Sequence, residues 1–353
     1  MNGLSKAMNS LYKILTVSAV QQEAEDVKTI RFAEDSENKI EYQAGQYLTL
    51  VRQTHAGEIR RSYSITSSPE LQEPLTIGVK RIQNGLFSRQ LVDYAQPGDQ
   101  IYTIGAAGLF TLPADITAYQ HLLFCAAGSG ITPIYSLLKT ALYAHPHVTI
   151  TLLYSNHAPE KTIFKKNLEL LAQQFAGRLQ IEFLFSNNAN LSRARLHKAL
   201  LHAFLGQHVT AKPEQVLCYI CGPLNYMRMC TYALREAHIP AANIRKENFS
   251  TDKPVVRNLP PDTEEHEIVI RYRQQEYYLK VQYPKTILQA AKEANLLLPY
   301  SCEAGRCGNC VAQCTQGQVW LSYNEVLTDK DLAQGLTLTC VGHPVKGDVH
   351  LRI

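Results

Sequence analysis

Leu298-Pro299-Tyr300-Ser301-Cys302-Glu303-Ala304-Gly305-Arg306-Cys307-Gly308-Asn309-Cys310 is the stretch whose reading decides the fold. Its thiols are spaced C-x4-C-x2-C, and a fourth, Cys340, lies far downstream. This is the ligand arrangement of a [2Fe–2S] cluster. The two short gaps let one loop bring three thiolates to the metal from nearly one side, while a distant segment closes the cage. Gly305 and Gly308 sit inside that loop, where a residue without Cβ takes φ > 0 and leaves amide N–H groups aimed at sulfur. A structural zinc site also accepts four thiolates, but it usually takes them as two short-spaced couples. Only one such couple, Cys307 and Cys310, occurs in the quoted stretch.

Working outward, the 353 residues exceed one ordinary domain, and 45% apolar content supplies real cores. No stretch approaches the roughly eighteen consecutive apolar residues of a membrane helix, so no direct membrane insertion is expected. Nine cysteines form an odd set, and no secretory leader is evident, so the cytoplasm is the expected compartment. The net charge of +4 is too mild and dispersed to suggest nucleic acid. Residues 263–353 carry nine Lys/Arg against ten Asp/Glu, which makes the cluster-bearing end nearly neutral.

The chain divides into residues 10–113, 114–250, a linker at 251–262, and 263–353. The first part holds runs of β-formers such as Leu11–Val20, Gln46–Val51 and Leu75–Lys80, broken by turn signals such as Pro97-Gly98-Asp99. It reads as an antiparallel β-barrel or sandwich with few helices. The second part alternates strands (Leu122–Ala127, Val148–Tyr154, Ile181–Phe185, Val216–Ile220) with helices near Pro133–Leu142, Ile163–Phe175, Arg193–Leu205 and Tyr226–Ala237. That alternation predicts an α/β parallel sheet. Thr132 is expected to cap the first of these helices, with Pro133 opening it. The third part opens with strands Glu267–Tyr272 and Glu276–Val281 and a helix over Thr286–Asn295. Trp320 reads as an apolar anchor, Cys125 and Cys230 as core, and Cys314 as a strand residue. Cys218 and Cys221 form C-x-x-C, but Cys218 falls within an expected buried strand, which argues against dithiol chemistry.

The cluster stretch, together with Leu336-Thr337-Leu338-Thr339-Cys340, resembles plant-type ferredoxins over about the last ninety residues, close to a whole small domain. Arg61-Ser62-Tyr63-Ser64 resembles the R-x-Y-S flavin motif of the ferredoxin–NADP reductase superfamily. The logic is a guanidinium for phosphate, an aromatic face for the isoalloxazine, and the Ser64 hydroxyl near its reactive nitrogen. Val79-Lys80 and Gly85-Leu86-Phe87-Ser88 resemble the family's second flavin segment, with Ser88 expected at the pyrophosphate. Two phosphate-facing segments favour FAD. Gly128-Ser129-Gly130-Ile131-Thr132-Pro133 resembles the nicotinamide-nucleotide loop, where small residues admit a pyrophosphate to a helix N-terminus. Cys221-Gly222-Pro223 resembles the motif beside the nicotinamide ring, and Glu247-Asn248-Phe249 the closing carboxylate and aromatic pair.

The resemblance implies a multidomain oxidoreductase: a β-barrel FAD domain, an α/β NAD(P)-binding domain and an α+β (β-grasp) ferredoxin domain. Its implied catalytic residues are Ser64, Cys221 and Glu247. Its implied activity is electron transfer from NAD(P)H through FAD and the cluster to a partner oxygenase, hydroxylase or desaturase. The strand ending Leu153-Tyr154-Ser155-Asn156 lacks an acidic tip, while His157, Lys161, Arg193 and Arg195 lie nearby, which leans toward NADPH. The rival readings are a nucleotide-binding metal-site scaffold or sensor without turnover, and a stand-alone quinone or flavin reductase.

Overall fold

The computed structural model describes residues 12–55, 57–250, 252 and 258–353. Its contacts divide the chain after Glu247 into two units. Of the expected linker, Thr251 and residues 253–257 lie outside the described residues, as do residues 10 and 11 of the expected first domain.

In the first unit, six strands come first: β1 (Lys13–Ala24), β2 (Val27–Phe32), β3 (Tyr47–Thr54), β4 (Gly57–Ser64), β5 (Thr76–Lys80) and β6 (Gln100–Ala107). They run β4-β3-β6-β1-β2-β5 and every pairing is antiparallel. An antiparallel bridge from Ile65 to Ile77 joins the two outer strands and closes the barrel. The two-residue alternation is visible in β1, where Leu15 and Val17 are buried and Thr16 and Ser18 exposed. Leu15, Val17, Ile30, Leu48, Leu50, Ile65 and Ile77 fill the interior.

One helix departs from the expected pattern. Gly85 to Ser88 is not only a turn: Gly85 caps α1 (Leu86–Tyr94), which buries Phe87, Leu91 and Val92. The i, i+4, i+5 spacing was present in the sequence, but no Ser, Thr, Asp or Asn announced the helix start.

Five further strands, β7 (His121–Ala127), β8 (Thr149–Asn156), β9 (Leu179–Phe185), β10 (Val216–Cys221) and β11 (Ile244–Glu247), form a wholly parallel sheet in the order β11-β10-β7-β8-β9. Helices α2 (Ile131–Ala144), α3 (Lys165–Gln174), α4 (Lys198–His208) and α5 (Leu224–Glu236) cover it. Leu122, Phe124, Leu152 and Cys221 pack with Leu137, Leu138 and Leu168 from α2 and α3. Leu123, Leu153, Cys218 and Ile220 pack with Leu201, Phe204, Met227 and Cys230 from α4 and α5. Cys218 and Cys221 therefore occupy different core clusters on opposite faces of one strand, which rules them out as a dithiol pair.

Two helix starts also move. The cap of α2 is Gly130, not Thr132, because the 3-10 turn Gly128–Gly130 leads directly into the helix. Pro133 falls at its third position, where its missing N–H still costs nothing. Helix α4 begins at Lys198, since the His197 side chain accepts the Leu200 N–H at 3.3 Å.

The second unit contains β12 (Glu265–Tyr272), β13 (Gln275–Gln282), β14 (Val311–Leu321), β15 (Leu336–Leu338) and β16 (Gly342–Arg352), ordered β13-β12-β16-β14-β15. The β12–β16 pair is parallel and the other pairs are antiparallel. Arg273 and Gln274 take φ of 52° and 64° in the tight hairpin between β12 and β13. Helix α6 (Ile287–Glu293) starts at a capping box of Thr286 and Gln289 and buries Ile287, Leu288 and Ala291. A second capping box, Thr328 with Asp331, opens the short α7 (Asp329–Ala333). Trp320 is half-buried beside His343, with ring centroids 5.6 Å apart.

Barrel and parallel sheet meet where Gly78 on β5 faces Thr132 on α2: a Cβ added at Gly78 would lie 2.5 Å from the Thr132 methyl. Gly78→Ala is expected to destabilise the protein by about 1–3 kcal/mol through overpacking, measured as a lower urea midpoint at an unchanged slope.

Candidate active site and cluster loop

Strand alternation selects the side chains that β4 offers. Arg60 is buried and paired with Glu58 at 2.5 Å, whereas Arg61 is exposed. The Arg61 guanidinium touches only the Arg60 carbonyl, at 2.7 Å among its described hydrogen bonds, and so presents its remaining donors outward. Tyr63 lies two residues on and its ring is 6.2 Å from that of Phe87, which brings the two expected flavin segments together. Ser62 is half-buried and Ser64 buried. Burial pushes the Tyr63 phenol well above its ordinary range, so the ring presents a neutral hydroxyl.

Within the second segment, the Val79 side chain is fully buried in the barrel core, so only its backbone can meet a ligand. Lys80 is exposed, as is Leu86. Ser88 lies in the first turn of α1. Its hydroxyl accepts the Ile82 N–H at 3.1 Å and donates to the Gly85 carbonyl at 3.2 Å, so it shapes the turn. No side chain caps α1, which leaves its first N–H groups for an anion. Helix α2 likewise has no side-chain cap, and the Thr132 hydroxyl donates to the Ser129 carbonyl at 2.9 Å. Both uncapped termini, one from each nucleotide motif, fit the phosphates of dinucleotides.

Close contacts then join the motifs. A Cβ on Gly130 would sit 2.1 Å from the Cys221 carbonyl oxygen, and one on Gly222 would sit 2.9 Å from the Ala127 Cβ. Cys221 pairs in register with Glu247 across β10 and β11. Gly78 would meet Thr66 as well as Thr132. A continuous path therefore runs from the end of β4 through Gly78, Thr132, Gly130 and Cys221 to Glu247. Thr66 and Gly78 were missed by sequence reasoning, although a glycine inside a β run was a usable cue.

Glu247 is the outstanding polar group on that path. It is 9% exposed, and its Oε2 is buried with no hydrogen-bond partner. Burial raises its pKa from 4.5 to about 8. The Cys221 thiol is pushed up by burial and then by the Glu247 charge. With no exposed surface, it packs as core rather than acting as a nucleophile. Pro223 opens α5 as its cap residue. Phe249 belongs to the second unit and is 46% exposed.

At the tip of β8, the cations considered for a phosphate are largely engaged. His157 bonds Ser186 at 3.0 Å, Lys161 pairs with Glu25 at 3.3 Å, and Arg193 pairs with Glu182 at 2.7 Å. Arg195 is exposed.

In the cluster loop, Gly305 and Gly308 take φ of 68° and 77°, as the spacing required. Cys302 hydrogen-bonds Cys307, and Cys310 hydrogen-bonds Cys340. Among the described residues, no three His, Cys, Asp or Glu side chains converge on one metal ion. Two pairs of thiols suit a centre with two irons, each taking two thiolates. The Ala304 N–H reaches the Cys302 sulfur at 3.4 Å, and amides of Arg306 and Cys307 add to it. The Cys307 hydrogen bond foremost, with these amides, brings the Cys302 thiol down to about 6 despite burial. The sequence did not reveal that Arg306, Tyr323, Glu325 and Asn248 surround this loop through long-range bonds.

Three family descriptions match in succession: an oxidoreductase FAD-binding domain over residues 14–112, an oxidoreductase NAD-binding domain over 124–231, and a 2Fe-2S iron-sulfur cluster binding domain over 270–345. The chain is 30% identical over 351 residues to the ferredoxin reductase component of 3-ketosteroid-9-alpha-monooxygenase from Rhodococcus rhodochrous, covering 96% of each. It is 30% identical over 343 residues to one of the subunits of 1,2-phenylacetyl-CoA epoxidase from Escherichia coli, covering 95% of this chain and 96% of that one. The fold is similar to that of phthalate dioxygenase reductase, with a TM-score of 0.59, 21% identity, and coverage of 98% of this chain and 99% of that one. Among the described residues, no helix is long and apolar enough to cross a membrane.

The raised Glu247 pKa has a stability consequence. Between about 4.5 and about 8 the native carboxyl holds a proton that the unfolded one has lost. Stability from this group is complete below 4.5 and falls as pH rises through about 8. Glu247→Gln, which keeps the shape without the charge, is expected to flatten that decline in urea unfolding measured from pH 5 to pH 9.

Similarity from end to end, in the same three-domain order, means that the chain belongs to the reductase components of oxygenase systems, oxidoreductases that carry electrons from NAD(P)H through FAD and a [2Fe–2S] cluster.

Proposed function

We propose that Arg61, Ser62, Tyr63 and Ser64, with Val79, Lys80 and Gly85 to Ser88, hold FAD, and that Gly128, Ser129, Gly130, Thr132, Cys221, Gly222 and Pro223 hold NAD(P)H. Cys302, Cys307, Cys310 and Cys340 hold the cluster, and a partner oxygenase, hydroxylase or desaturase takes the electrons. The observation that carries the reading is the contact path Thr66–Gly78–Thr132–Gly130–Cys221–Glu247, which supports both nucleotide motifs serving one reaction centre.

FAD, once bound, accepts an electron pair as hydride and releases electrons singly, which suits a cluster that takes one at a time. The protein's own part is positioning. The exposed Arg61 would draw phosphate, the Tyr63 ring would offer an aromatic face to the flavin, and Ser64 would offer a hydroxyl at the end of its strand. Gly130 and Gly222 let the turn before α2 and the end of β10 approach closely, because any side chain there would strike backbone or Ala127. Glu247 stays protonated at neutral pH and so contributes a neutral hydrogen-bonding group rather than a charge. Phe249 is assigned as the aromatic cover of the flavin. NADPH is the favoured donor, since the tip of β8 carries no carboxylate to repel a 2′-phosphate. The cytoplasm, which keeps thiols reduced, is the compartment that suits nine free cysteines.

Purified protein is expected to be yellow-brown, with two irons, two sulfides and one FAD per chain, and to bleach on adding NADPH; a colourless zinc protein would overturn the reading. In stopped flow, Ser64→Ala should slow flavin reduction on the order of 100-fold and leave the cluster's EPR signal unchanged. Cys307→Ser should abolish reduction of one-electron protein acceptors while sparing flavin reduction by NADPH.

A further inference from the structure

Arg306 lies between cluster ligands in sequence, yet its side chain turns away to an unrelated part of the chain. Its side chain is only 9% exposed. One Nη donates to the Ser250 hydroxyl at 3.1 Å and to the Asp252 carbonyl at 2.7 Å, the other to the Tyr323 hydroxyl at 3.4 Å. Nε stands 3.2 Å from Glu325 Oε2. The guanidinium also lies over the Tyr323 ring, 5.3 Å from its centroid. Glu325 in turn accepts from Asn248 Nδ2 at 2.8 Å and from the Tyr323 hydroxyl, and its N–H donates to the Gly305 carbonyl at 3.1 Å. Asn248 Oδ1 and Ser250 Oγ then fold the segment on itself, accepting the N–H groups of Ser250 and Asp252. One buried guanidinium thus holds Ser250 and Asp252 directly, and Asn248 through Glu325.

What it holds is the chain that has just left the first unit. Strand β11 ends at Glu247, and the second unit begins at Asn248. Without the Arg306 and Glu325 contacts, the tether between the two units would run from Glu247 to Asp262, whose carboxylate accepts the Lys346 N–H at 2.6 Å and bonds His266 at 2.8 Å. With them, the chain is captured one residue after Glu247. A tether's length sets the effective concentration of the groups it joins. A planar, always-charged fork is the residue type suited to gripping a hydroxyl, a carbonyl and a carboxylate together.

We propose that Arg306 is a positioning residue for electron transfer: by clamping residues 248–252 to the cluster loop, together with Glu325, it shortens the tether between the flavin-binding unit and the cluster and so keeps the transfer intramolecular and fast. The step it serves is balanced by the established chemistry. One NAD(P)H and one proton bring two electrons to the flavin, and these leave in two single passages through the cluster, with two protons released. The proposal rests on the cofactor assignment above and adds a residue that the assignment does not need.

The test uses full-length protein loaded with FAD and cluster. In Arg306→Ala, hydrogen exchange of the 248–252 amides should accelerate, while the cluster's visible and EPR spectra and NADPH–ferricyanide turnover at the flavin stay as in the wild type. Cluster reduction following flavin reduction in stopped flow should slow by roughly tenfold or more, and Arg306→Lys should restore only part of the rate. Should Arg306→Ala lose its cluster, the double variant Asn248→Ala/Ser250→Ala loosens the same clamp from the other side and should give the same slowing. Faster exchange with an unchanged cluster-reduction rate would overturn the proposal, as would unchanged exchange in both variants. Wild-type protein lacking FAD or cluster would instead overturn the cofactor assignment.

Discussion

The reductase unit depends on close backbone approach at two glycines. Gly130 sits so near the Cys221 carbonyl that even a methyl group would overlap it, and Gly78 does the same against Thr132. The first contact fixes the turn before α2 against the end of β10, and the second fixes α2 against the barrel. Both constraints act on backbone or on a short β-branched side chain with few rotamers to yield. The barrel keeps its own core, while Val27, Ala44 and Phe110 join the apolar cluster around the parallel sheet, so the two parts meet through these small-residue contacts and a shared apolar seam. Ser68 and Ser136 add polar stitches there, the first bonding Thr140 at 2.7 Å and the second the Ser67 carbonyl at 2.6 Å. Lys139 and Glu73 add an ion pair.

Desolvation at the end of this path decides the protonation of its groups. Glu247 has lost water without gaining a partner for Oε2, and that penalty alone accounts for its raised pKa. Cys221 beside it is held neutral for the same reason. A neutral, dry floor at the strand ends suits a reaction in which hydride moves between two flat rings, because a fixed charge there would bias the transfer. The same burial argues against reading Cys221 as a reactive thiol, whatever its place in a C-G-P motif.

Much of this was legible in the sequence because the motifs are local. Cys302, Cys307 and Cys310 lie in one loop whose glycines take positive φ, so spacing alone carried the geometry. The parallel sheet followed from alternating runs, of which the central β7 and β10 bury both faces. What stayed hidden is of two kinds. Helix ends without a polar cap, at Gly85 and Gly130, carry no start signal in the sequence, which makes α1 look like a turn and shifts the expected start of α2 two residues late. Contacts between residues far apart in the chain, such as Arg306 with Ser250 and Glu325 with Asn248, have no local pattern at all. Ser88 shows a third limit: a motif names the residue, but only its neighbours reveal that its hydroxyl is already committed to Ile82 and Gly85.

Charge explains why a clamp matters in this protein. A free electron carrier relies on a strong field of one sign to steer it to its partner. Residues 263–353 carry almost balanced charge, so steering contributes little to how the cluster meets its electron donor. Covalent linkage takes over that task, and its efficiency depends on tether length and stiffness rather than on ionic strength. Catching the chain at Asn248, immediately after the strand that ends in Glu247, converts part of that connection into ordered structure. The guanidinium is suited to the task because it keeps its charge at every physiological pH, so the grip does not loosen as protons are taken up and released during turnover.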